Sequence, residues 1–112
     1  MHASSRRALT IMGDAMVFLR SINPGCYSRE GMSPQAQEDP WLIMSLSSEI
    51  ANGFHNIPEI VASDIPEEKC RERLKMEFQH LRDRLDRMDL PENMPASYRW
   101  LRTAIDLFLA NE

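Results

Sequence analysis

Three histidines, two cysteines and 17 carboxylates are the side chains of this chain best suited to chemistry, and their spacing decides what each could do. A metal site on a helix needs ligands one turn apart, as in HxxxH or HExxH, so that two donors share a face. His2, His55 and His80 form neither pattern. His55 and Glu59 are four residues apart, but Pro58 stands between them and breaks the continuity of a helix there. The segment Ile50 to Ile60 still gathers Asn52, Gly53, His55, Asn56 and Pro58 in close succession. A ligand-binding or enzymatic bundle would place its pocket here, on His55 and Asn56 with Glu59 beside them.

A nucleophilic thiol needs a neighbouring base or a helix N-terminus to lower its pKa. Cys26, in the run Pro-Gly-Cys-Tyr-Ser, has neither nearby in sequence, and Cys70 falls among apolar residues as a small core side chain. The four glycines are scattered, so neither a dinucleotide fingerprint nor a phosphate loop can be assembled, and no Gly-x-Ser-x-Gly elbow occurs. The expectation is a protein without catalytic residues, metal or cofactor.

Charge is distributed unevenly around the net value of -4. Residues 32–65 hold Glu38, Asp39, Glu49, Glu59 and Asp64 with no Lys or Arg, whereas residues 66–90 hold seven of each sign. An acidic segment repels nucleic acid and suits a basic protein partner, with Glu49 and Glu59 as contact residues. Residues 49–61 have the outline of a helix-turn-helix, and a DNA-associated regulator would use the region 41–63. Its second helix is short, acidic and lacks any Arg, Lys or Gln to reach a base edge, so nucleic acid is a poor partner.

These side chains must be held by helices. Val and Thr occur only twice each and no stretch alternates apolar with polar residues, so strands are not expected. A chain of 112 residues with 43% hydrophobic content makes one domain, 1–112, with one core. The spacing predicts an all-α bundle of four main helices, near 6–21, 40–52, 66–88 and 96–110, with a short helical turn near 58–63 and a long loop over 23–39. Asn23-Pro24-Gly25 stops the first helix, Asp39-Pro40 starts the second and Gly53 ends it, and Asn56 caps the short turn. His2 falls in a frayed terminus. In the third helix Cys70, Leu74, Phe78, Leu81, Leu85 and Met88 form a narrow stripe, and the remaining face is laced with charge pairs four residues apart, such as Arg82–Asp86. That pattern places it on the outside of the bundle.

The first and last helices carry apolar arcs of about 180° or more, wider than one packed face consumes. Trp41 projects on the polar side of the second helix, while Trp100 and Leu107 sit at the edge of the arc of the last. Surplus apolar surface marks interfaces. The reading that follows is a small acidic helical protein that acts by protein–protein interaction, of the adaptor, inhibitor or immunity type, with a homodimer through the last helix and Trp41, Glu49, Glu59, Trp100 and Leu107 at contacts. Thr10, Gly13, Asp14 and Arg20 interrupt the apolar run after Arg6-Arg7, so neither a signal peptide nor a membrane span is expected, and the location is cytoplasmic.

Overall fold

A computed structural model describes residues 1–22, 40–90, 92 and 94–111 of the chain. Five helices lie among the described residues: α1 (Ala3–Ile22), α2 (Pro40–Phe54), α3 (Ile57–Ala62), α4 (Glu67–Arg87) and α5 (Ala96–Asn111). The all-α expectation is met, and no strand occurs among the described residues. The expected loop 23–39 lies outside the described residues, and so does the proposed cap Asp39.

Contacts between helix ends give the directions. The buried Ser5 hydroxyl lies 3.3 Å from the Cys70 thiol, so α1 and α4 start side by side and run parallel. Ser21 at the end of α1 lies 3.2 Å from Ser97 at the start of α5, which makes that pair antiparallel. Ion pairs Arg84–Glu49 at 3.7 Å and Arg82–Asp106 at 3.9 Å set α2 and α5 antiparallel to α4. The long helices therefore alternate up and down around one core.

Five of the six stripe residues on α4, Cys70, Leu74, Phe78, Leu81 and Leu85, are almost wholly removed from water as the spacing predicts, while Met88 just past the helix end is half-buried. The placement of α4 on the outside is corrected. It packs against each of the other four helices and is the hub of the bundle. A narrow stripe suffices because the neighbours converge on it. Phe78 makes edge contacts with Phe54 of α2 at 5.9 Å and Phe108 of α5 at 4.8 Å, tying three helices through one ring. Its charges also behave differently from expectation. None of the intrahelical pairs four apart is among the ion pairs of the described residues, and Arg82, Arg84 and Asp86 reach across to neighbouring helices instead.

Three terminal features differ from the sequence reading. His2 is tied down: its Nε2 lies 2.8 Å from the Ile65 carbonyl oxygen and its Nδ1 3.0 Å from a Glu67 carboxylate oxygen. With Arg6 N donating to the His2 carbonyl at 3.1 Å, α1 extends to Ala3 instead of fraying. Gly53 does not stop α2, which continues to Phe54 without a left-handed glycine. It is a contact glycine, since a Cβ there would lie 2.6 Å from Cδ1 of Leu81. Asn56 precedes α3 but its side chain makes no cap; it donates to Glu77 on α4 at 3.4 Å.

A candidate interaction surface on the first and last helices

The apolar surplus of α5 can be read one residue at a time. Tyr98, Leu101, Ile105 and Phe108 are buried, and each successive residue turns about 100° around the axis. Trp100 and Leu107, seven apart, come back to one face and stay 65% and 57% exposed. On α1 the residues Ile11, Ala15 and Phe18 are buried, while Val17 is 56% exposed.

These two helices enclose a groove of about 370 Å³ that runs from Arg7, Thr10 and Asp14 on α1 to Ala104, Leu107 and Asn111 on α5. Ile11 and Phe108 form its apolar floor. Antiparallel packing sets the register. Ser21 meets Ser97 at one end and Arg7 shares the groove with Asn111 at the other, so Val17 falls on the turn level with Trp100. The groove and the exposed Val17, Trp100 and Leu107 thus occupy neighbouring faces of one helix pair.

The opposite flank of α5 is polar and closed. The Arg102 guanidinium bonds the Tyr98 hydroxyl at 3.0 Å and pairs with Asp86 of α4. Burial disfavours its charge, but the hydrogen bonds to Tyr98 and Asp86 outweigh this and hold its pKa above the ordinary arginine value. The Nε of Arg102 is buried without a partner among the described residues. Sequence periodicity assigns Arg102 and Asp106 to water; Asp106 is exposed, with Arg82 3.9 Å away, whereas Arg102 is largely covered and engaged with α4.

The other sequence candidates are dispersed. Trp41 is 77% exposed on the first turn of α2. Glu49 is paired with Arg84. Glu59 is exposed and borders a second groove, also of about 370 Å³, with Asn56, Ile60, Ser63, Arg73, Met76 and Glu77. His55 is exposed but does not line that groove, so the structure brings Asn56 and Glu59 together without it. Cys26 lies outside the described residues, and Cys70 is a buried free thiol. The sequence does contain one Glu-x-x-His spacing, Glu77 and His80 on α4, which a reading confined to histidine pairs passes over. Glu77 there accepts from Asn56, and no group of three metal-ligating side chains forms among the described residues.

Arg7, Thr10, Asp14 and Val17 are the surface residues that sequence reasoning missed. Their signal was the spacing 7, 10, 14, 17, a second stripe along α1 beside its apolar arc. No helix of the described residues is long and apolar enough to cross a membrane. No family model, curated protein or solved structure matches the chain.

Proposed function

We propose that this chain is a small helical protein–protein interaction protein without catalytic activity of its own, and that it associates through the α1/α5 face. The observation that carries this reading is an apolar-floored groove lined by the exposed Leu107, with Val17 and Trp100, each more than half exposed, one turn beyond its end at Asp14 and Ala104. Single exposed apolar side chains are ordinary on soluble proteins, whereas a contiguous group bordering a groove marks a contact surface. Trp is also the residue type most enriched among those that dominate binding energy. Trp41 and Met44 on α2 are exposed as well, and Met76 of α4 borders the groove beside Glu59, but that groove is rimmed by the charged Glu59, Arg73 and Glu77 and has one exposed apolar side chain on it. The acidic side chains are a secondary element: Glu59 is open to a basic partner, while Glu49 is already engaged by Arg84.

The chain used as bait in extracts of its source cells tests this. The wild type retains a reproducible partner, another protein or its own untagged copy. The Trp100→Ser, Leu107→Asp double variant loses it while keeping its helical circular dichroism. Equal retention by both baits would refute the assignment of this face.

A further inference from the structure

We infer that the occupant of the α1/α5 groove is the same groove of a second copy of this chain, the two related by a two-fold axis that passes by Leu107. This rests on the reading that the α1/α5 face is the association surface, and it names the partner. The basis is charge and register. The α1 rim of the groove carries one cation and one anion, Arg7 and Asp14, seven residues and therefore about 10 Å apart along the helix. A partner of uniform charge would be attracted by one of them and repelled by the other. A second α1 laid antiparallel across the first meets both, with Arg7 against the partner's Asp14 and Asp14 against the partner's Arg7. A guanidinium has five N–H donors, so Arg7 can keep its contact within its own chain and still bond a carboxylate across the axis. Two identical charge-assisted contacts follow from a single symmetry operation.

The same operation satisfies the apolar residues. The groove is level with Arg7 and Asn111 at one end and with Asp14 and Ala104 at the other. Its midpoint falls at Thr10 and Ile11 on α1 and at Leu107 and Phe108 on α5. Leu107 is the exposed apolar member of that set, and the axis brings it onto the partner's Leu107 over the floor of Ile11 and Phe108. Val17 and Trp100 lie one further turn along, outside the stretch between the two ionic pairs. Polar groups thus flank an apolar centre, the arrangement of specific interfaces.

Charge reversal tests the pairing. Arg7→Glu sets a carboxylate against the partner's Asp14, and Asp14→Arg sets a guanidinium against the partner's Arg7. Each single variant is therefore monomeric by native mass spectrometry at concentrations where the wild type is a dimer. Mixing the two variants gives a one-to-one heterodimer, in which one of the two contacts joins the substituted carboxylate to the substituted guanidinium and the other is the native pair. The chain carrying both substitutions pairs with itself again. Leu107→Asp weakens self-association by about 30-fold or more, as loss of a central contact residue does, and circular dichroism checks that each variant keeps its helices. A wild type that stays monomeric up to about 1 mM overturns the inference. A wild-type dimer indifferent to both single reversals also overturns it. Should the wild type be monomeric while the bait experiment still loses its partner with Trp100→Ser and Leu107→Asp, the interaction reading stands and only the homodimer falls.

Discussion

Leu107 and Phe108 are adjacent in sequence and opposite in environment: Leu107 is 57% exposed and Phe108 only 3%. A turn of about 100° per residue separates the exposed face from the core, and the spacing of the apolar residues alone makes that division legible. What periodicity does not reveal is how wide a face the neighbouring helices will cover, and so whether the edges of a broad arc are buried. Glycine shows the same limit. Gly13 and Gly53 read alike in sequence, yet a Cβ at Gly13 meets nothing within 4 Å and one at Gly53 meets the Leu81 side chain. Gly13→Ala is therefore expected to raise stability by about 0.5–1 kcal/mol through helix propensity. Gly53→Ala is expected to lower it by about 1–3 kcal/mol through overpacking against Leu81. Urea unfolding of the two variants checks both signs, and a stabilised Gly53→Ala would show that α2 and α4 can move apart at no cost.

At the scale of elements, four helices and a short turn were legible because each has its own apolar period and its own stop. The ends moved for reasons that lie in tertiary contacts. His2 binds Ile65 and Glu67 and so holds the first turn of α1, and Gly53 is in the helix because it faces Leu81. Charge partners were not legible. Arg82 and Asp86 are one turn apart on α4, but α5 offers Asp106 and Arg102 alongside, and the pairs form between helices. Asp86 is 54% exposed at its side chain, so solvent screens the contact. A double-mutant cycle of Arg102→Met and Asp86→Asn is expected to give a coupling of about 0.5–1 kcal/mol, measured by thermal or urea unfolding. A coupling near zero would mean that Tyr98 alone holds Arg102, and the pair does not order α5 on α4.

For the whole molecule, the core is a single cluster to which all five helices contribute, with α4 at its centre. That core leaves Val17, Trp100 and Leu107 in water, and the proposed association would use this α1/α5 face. The acidic segment has a smaller part in this account than its charge total suggests, since Glu49 is turned to Arg84 and only Glu59 among the described glutamates of that segment stands open. The most direct test of the α1/α5 surface is sedimentation velocity on the wild type and Leu107→Asp over a dilution series, with thermal melting of the same samples. The wild type should pass from dimer to monomer on dilution, and Leu107→Asp should stay monomeric with the same helicity and melting temperature when both are melted as monomers. Superimposable sedimentation of the two proteins, or a Leu107→Asp chain that has lost its fold, would contradict it.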